Sequence, residues 1–346
     1  MTVEELAAYQ VRQLLIIRQH NQMGDMVLCL PTLRAIRRRW PQAHLRFVTA
    51  PICEELLRDH RDIDELLVFR KREMRRPAKL LAWLRQLRQP RADLAIVLGS
   101  VSFSTTSAML ALASGAARRV GASSQPFGSD LSGAVYHREL SEPTGEHEVD
   151  RNLATLQALG IKADREPPRL RAAPLLVQEA AVFLRDADPP VPVAVRWVVF
   201  HVGAGKLPNI WPGEYFAELA NRMAENPQLR IVLTEGPHDA TFVDAVQSHA
   251  RVPMLRWRRS LGDTLGLLQH AALVVSNDTG MAHVSAALGR PTLVLFGPTD
   301  PKRWSPAGPH VEVLQSDSSR IIDLSVDAVE PATLRLLACN VERSKA

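Results

Sequence analysis

The sequence predicts an α/β protein built from two successive open parallel-sheet domains, and two observations carry that expectation. Short apolar runs rich in Leu, Ile and Val alternate with helical segments from Gln13 onward, the pattern of repeated βα units. The repetition breaks once, over residues 163–192, where Pro167, Pro168, Pro174, Pro189, Pro190 and Pro192 surround one helical stretch. Prolines at that density punctuate structure rather than propagate it. The expected boundaries are therefore an N-terminal domain over 1–165, a linker region over 166–192 and a C-terminal domain over 193–346.

The first series begins with the LLII run in Gln13 to Arg18, a buried-strand pattern. It leads through HNQMGD into a helix with Leu30, Leu33 and Ile36 on one side, and Gly24 is expected in the connecting loop. Arg37, Arg38 and Arg39 suit that helix's carboxyl end. A strand at Leu45 to Val48, a helix from Pro51 to about Leu57 and a strand at Leu66 to Phe69 follow. The basic run Arg70 to Arg76 then precedes an amphipathic helix over Ala78 to Leu87. The strand Asp93 to Gly99 enters a Ser/Thr-rich segment whose hydroxyls suit helix capping or, alternatively, an acceptor sugar. Gly121 to Glu148 has weak periodicity and reads as a long loop, and a helix from about Glu148 to Leu159 closes the first half.

The second series contains Trp197 to Phe200, a glycine loop, a helix over Tyr215 to Asn226, a strand at Ile231 to Thr234 and a helix to about Ser248. Leu273 to Gly297, LVVSNDTGMAHVSAALGRPTLVLFG, then forms a strand, helix, strand unit with polar residues at the first strand's carboxyl end. Asp278 or Thr279 can cap the helix starting near Gly280, which lacks a side chain to block an anion from the first-turn N–H groups. A phosphate suits that position, although an ordinary capped crossover helix would look the same. The last helix, about Val326 to Cys339, is expected to pack back on the first domain.

Composition narrows the function classes. With 346 residues and 46% hydrophobic content the chain has ample core for two domains. Its apolar runs stay short of the roughly 18 residues a membrane span requires. MTVEELAAYQ lacks a basic n-region, so a cytoplasmic location without a secretory signal is expected. Cys29, Cys53 and Cys339 have no paired spacing, which argues against a disulfide framework or a zinc cluster. Forty-two basic against 37 acidic residues leave a net charge of +5, compatible with phosphates or an anionic membrane surface. Nucleic acid is not expected as a partner.

RQHNQMGDMVLCLP (Arg18 to Pro31), HVGAGKLPNIWP (His201 to Pro212), TEGPHD (Thr234 to Asp239) and SNDTGMAHVSAALGRPTLVLFGPTDP (Ser276 to Pro301) occur in that order along nearly the whole chain. Together they resemble the motifs of the lipopolysaccharide heptosyltransferases, glycosyltransferase family 9. The resemblance implies a GT-B fold, two Rossmann-like domains facing a central cleft, with acceptor on the first and nucleotide sugar on the second. It also implies an inverting, metal-independent transfer without a cofactor, characteristically from ADP-heptose. The implied acceptor is a lipopolysaccharide precursor or another surface glycan. A monomer with possible peripheral contact at the cytoplasmic face of the inner membrane is expected.

The resemblance places the catalytic base at Asp25, with Gln22, Met23 and Gly24 in an acceptor loop. An inverting reaction needs a base opposite the leaving group, and an Asp of ordinary pKa, about 3.9, would take the proton as the C–O bond forms. From spacing alone Asp25 could instead cap the helix beginning near Met26. The implied donor site comprises Gly203, Gly205, Lys206, Asn209, Asp239, Asp278, Thr279, Gly280 and His283. Asp278, Thr279 and Gly280 would hold the pyrophosphate, and His283 would bond phosphate or simply pack in its helix. Asp239 would contact the ribose or serve the first turn of a helix. Trp211 is expected to pack beneath the glycine loop, the alternative being to stack on the base.

One departure stands out: several members carry lysine two residues before the Trp-Pro pair, where this chain has Asn209, and the nearest lysine is Lys206. The basic residues from Arg70 to Arg76 are candidates for lipid A phosphates or a plain solvated surface. A non-catalytic sugar-nucleotide or glycan-binding protein is the alternative class. A nucleotide-sugar epimerase or dehydrogenase fits less well, because HNQMGD is not a G-x-G-x-x-G cradle.

Overall fold

The computed structural model describes residues 5, 9–19, 22–99, 103–125, 128, 131–187 and 195–343, the last helix with side chains through 338. His20 and Asn21 of the first motif, Ser100 to Ser102 of the Ser/Thr-rich segment, and Pro189, Pro190 and Pro192 lie outside the described residues. The chain divides into two compact units, Met1–Glu166 and Pro167–Ala346.

In the first unit, β1 (Gln13–Arg18), β2 (His44–Thr49), β3 (Glu65–Val68), β4 (Leu94–Val97), β5 (Arg118–Gly121) and β6 (Arg138–Glu139) form one sheet. Its order is β3-β2-β1-β4-β5-β6, and each neighbouring pair is parallel. Leu14, Leu15, Ile16 and Ile17 of β1 are all fully buried, as a central strand covered on both faces requires. The chain moves outward from β1 to β3 and then returns to place β4 on the other side of β1. That reversal is a topological switch point, where loops beyond the carboxyl ends of adjacent strands diverge and leave room for a ligand.

The second unit repeats the plan. Here β7 (Arg196–His201), β8 (Leu229–Thr234), β9 (Leu255–Trp257), β10 (Ala271–Asn277), β11 (Thr292–Phe296) and β12 (Val311–Gln315) run in the order β12-β11-β10-β7-β8-β9, again all parallel. Its switch point falls between β7 and β10. Phe200, Trp211, Phe216, Leu233, Val275 and Leu295 join one buried core with Val329, Ala332 and Leu336 of the Val326–Arg343 helix. These buried side chains of the last helix thus belong to the second unit.

Several expectations need correction. The first helix spans Met23–Arg39, so Met23 and Gly24 lie in its first turn and Gln22 is its N-cap, where a loop was expected. The segment read as a long loop after Gly121 contains a helix, Leu131–Val135, and β6. Strands β5, β6, β9 and β12 were not anticipated: β6 has two residues, β9 has three, and no residue of β12 is fully buried. The helix Pro174–Arg185, inside the expected linker, is an integral part of the second unit. It packs on the Leu261–Gln269 helix at Gly266, where a Cβ would fall 2.3 Å from the Leu176 carbonyl oxygen. Phe183 meets Trp257 edge to face at 4.9 Å, adding aromatic contact to that seam.

Candidate active site

The second unit's switch point brings the β7 and β10 loops together through side-chain amides. Asn277, the fully buried end of β10, donates from Nδ2 to the Val202 carbonyl at 2.8 Å and accepts the Trp211 N–H on Oδ1 at 3.1 Å. Trp211 is itself fully buried, donates from Nε1 to the Leu324 carbonyl at 2.7 Å and lies edge-on to Phe216. It packs beneath the loop, as expected. The loop carrying Gly203, Gly205, Lys206 and Asn209 is consequently fastened beside Asp278.

The helix Gly280–Ala287 starts there, and Thr279 is its cap: the Thr279 hydroxyl accepts the Met281 N–H at 3.1 Å. The Ala282 N–H reaches the Thr279 carbonyl at 3.2 Å, while the Gly280 N–H has no acceptor among the described residues. An unpaired N–H at the positive end of a helix dipole is suited to an anion. His283 is 5% exposed, one turn further into the helix.

Asp278 is not the cap. Its Oδ2 accepts the Asn209 amide at 3.1 Å, and Asn209 also donates to the Thr299 hydroxyl at 3.2 Å. Burial pushes the Asp278 carboxyl above the usual range, opposed by the Thr299 hydroxyl and the positive charge of Lys206. Asn209 is 6% exposed, whereas Lys206 stands in solvent. The two positions therefore converge on one carboxylate, one through a buried amide and the other through the field of an exposed ammonium.

Asp239 and Gly203 also meet. A Cβ on Gly203 would fall 2.2 Å from Asp239 Oδ1, so the glycine makes room for this carboxylate. Asp239 Oδ2 accepts the Gly236 N–H at 2.9 Å, and the residue precedes the Ala240–His249 helix without a side-chain capping bond. Gly205 faces open space. Desolvation depresses the His201 imidazole, with Asp239 pulling the other way, and its Nδ1 is 2.9 Å from the Thr234 hydroxyl.

In the first unit, Asp25 lies half-buried in the first turn of Met23–Arg39, next to the β1–β4 switch point. Asp25 is not the N-cap residue, because Gln22 occupies that position. Gln19, following β1, donates to Ser104 and Ser107 at 3.3 and 3.4 Å, linking the β1 and β4 loops. Ser104 caps the Thr105–Ala113 helix, its hydroxyl accepting the Ser107 N–H at 3.2 Å. Beneath Asp25, the 2%-exposed Arg18 donates to the Asp25 carbonyl at 3.1 Å and to Asn152 Oδ1 at 3.3 Å. Arg18, Gln19 and Thr299 lie within quoted motifs but were given no role from the sequence, and Asn152 lies outside every motif. The sheet order, once known, points to the first two as residues at the end of β1.

Comparison with known proteins adds the decisive observation. The family model for glycosyltransferase family 9 (heptosyltransferase) matches residues 80–332, nearly three-quarters of the chain. The chain belongs to glycosyltransferase family 9. It is similar to lipopolysaccharide heptosyltransferase 1 of Pseudomonas aeruginosa, 33% identical over 175 residues. That stretch covers 49% of this chain and 45% of the relative, so it spans less than half of either protein. Lipopolysaccharide heptosyltransferase 2 of Salmonella typhimurium matches more extensively, at 26% identity over 309 residues and 85% of each chain. Among solved structures, Escherichia coli ADP-heptose lipopolysaccharide heptosyltransferase II superposes with a TM-score of 0.79 at 21% identity, covering 96% of this chain and all of that one. The two parallel six-stranded sheets are thus those of the GT-B fold expected for family 9.

Proposed function

We propose that this family 9 member transfers heptose from ADP-heptose to a lipopolysaccharide precursor, with inversion and without a metal. The observation that carries this reading is the Asp278–Thr279–Gly280 turn, which presents a helix N-terminus at the second unit's switch point. The Gly280 N–H and the helix dipole would hold the donor's diphosphate, and both favour the charge that grows as the glycosidic bond breaks. Lys206 would add a full positive charge. The relatives named for ADP-heptose and lipopolysaccharide support the choice of donor and acceptor.

Asp25 is the proposed base. The family-model match begins beyond it, so this role rests on the first motif and on the chemistry of the residue's position. As the acceptor hydroxyl attacks the anomeric carbon, its proton passes to the Asp25 carboxylate, the new C–O bond forms and ADP departs. A carboxylate in a helix's first turn stays ionised readily, because the dipole favours negative charge there.

The basic surface from Arg70 to Arg91 supports a cytoplasmic protein that touches an anionic membrane to reach its lipid-linked acceptor. Mass spectrometry of reactions containing purified protein, membrane-derived acceptor, EDTA and a panel of sugar nucleotides tests the activity. Added heptose mass from ADP-L-glycero-β-D-manno-heptose is expected. No added sugar from any donor would overturn the enzyme reading, and strict dependence on a restored divalent cation would overturn metal independence.

A further inference from the structure

Arg18 is a cation at the carboxyl end of a central strand, 2% exposed, and the reaction as described gives it no task. Its guanidinium bridges two elements. One nitrogen donates to the Asp25 carbonyl at 3.1 Å, and another donates to Asn152 Oδ1 at 3.3 Å on the Glu148–Ala154 helix. Asn152 in turn donates to the Glu148 carbonyl at 2.7 Å and to its carboxylate at 3.4 Å. Glu148 is fully buried and lies 3.6 Å from the Arg151 guanidinium. A charge left unpaired in such a place is costly, so the cluster must keep its members together.

The surrounding charges can be named from each packed element. Asp25 and Cys29 come from the Met23–Arg39 helix, Arg18 from β1, Cys53 from the segment after β2, and Glu148, Arg151 and the capping His147 from the Glu148–Ala154 helix. Arg18, Glu148 and Asp25 all lie within electrostatic reach of the Cys29 sulfur. Burial raises both thiols, Cys53 to about 12, so they remain neutral near pH 7. Arg18, Asp25 and Glu148, from three different elements, thus share the Cys29 sulfur as a neighbour, while Arg151 accompanies Glu148.

We propose that Arg18, braced by Asn152 and Glu148, is a positioning residue that fixes the first turn carrying Asp25 and sets the ionisation of its carboxylate. The proposal rests on Asp25 being the base. The bond to the Asp25 carbonyl fixes the backbone from which the carboxylate projects, and a reacting group misplaced by about 1 Å loses on the order of 100-fold in rate. The guanidinium charge favours the ionised carboxylate, while Glu148 acts in the opposite sense.

The test is the pH dependence of kcat for transfer from ADP-L-glycero-β-D-manno-heptose to membrane-derived acceptor, with folding checked by circular dichroism at each pH. Arg18→Met should lower kcat roughly 10- to 100-fold with the donor KM little changed, and move the acid limb upward by about one unit. Arg18→Lys, which keeps charge but loses the planar bridge, should lower kcat without that shift. Glu148→Gln, close in shape, should move the limb downward. Limbs that stay fixed in folded Arg18→Met and Glu148→Gln, or move in the same direction, overturn the proposal. If Arg18→Met does not fold, Glu148→Gln and Arg18→Lys decide between these outcomes. An Asp25→Asn protein with normal turnover would instead overturn the base assignment on which the proposal stands; an inactive one with unmoved limbs in the others rejects the brace alone.

Discussion

At the residue scale, Asn209, which stands where the resemblance implies a lysine, has a local consequence. The Asn209 amide is held by Asp278 and Thr299, and Lys206 contributes its charge to Asp278 from solvent. A neutral amide can orient a carboxylate but cannot balance a diphosphate, so the proposed donor site draws its positive charge from Lys206. Lys206→Met should weaken ADP binding and lower single-turnover transfer, by about 10- to 1,000-fold if the contact strengthens as the leaving group departs. Asn209→Lys in that background should recover part of the loss, since both positions address Asp278. Calorimetry with ADP separates binding from chemistry, and unchanged binding and transfer in folded Lys206→Met would return that lysine to an ordinary solvated loop. Residue pairing was only partly legible in the sequence. The DTG turn could be read locally, with Thr279 as one of two candidate caps, but Asn209 with Asp278, 69 positions apart, and Gly203 under Asp239 are products of the tertiary fold.

At the element scale, legibility followed burial. Central strands such as β1 and β10 are continuous apolar runs and were evident, whereas β6 and β9 are too short for a periodic signal and β12 is only partly buried. The Pro174–Arg185 helix was found, but its place in the second unit depends on Gly266 admitting it closely. The helix Pro77–Arg88 presents a different case, because its buried stripe is narrow: Trp83 and Leu87 are buried while Leu81 is 56% exposed. From Arg70 to Arg91 the chain has basic residues at 70, 71, 72, 75, 76, 79, 85, 88 and 91 against the single acid Glu73. Exposed Met109 and Leu112 on the Thr105–Ala113 helix add apolar surface to the same unit. This composition suits an anionic bilayer. Replacing exposed Arg75, Arg76 and Arg85 with Gln should weaken sedimentation with phosphatidylglycerol vesicles by on the order of 100-fold, at about 1 kcal/mol per basic residue. Binding of the parent should also fall with salt. Vesicle binding that is absent in the parent, or equal in the two proteins, would reject the membrane surface.

At the scale of the whole molecule, the repeated architecture explains why each unit carries its own polar motif. Each unit has its own switch point, one beside Asp25 and the other beside Asp278–Gly280. The alternating runs and proline-rich interruption were sufficient for two parallel-sheet units, but the strand orders that create the switch points were not visible in local periodicity. The motifs supplied a family; the fold explains why their polar residues lie at strand ends. The most direct measurement is single-turnover transfer by Asp25→Asn, using ADP-heptose and membrane-derived acceptor. Removal of proton acceptance without emptying the position should preserve ADP binding while lowering the chemical rate by about 100-fold or more. Near-parent turnover by the folded variant, with chemistry limiting the rate, would contradict Asp25 as the base.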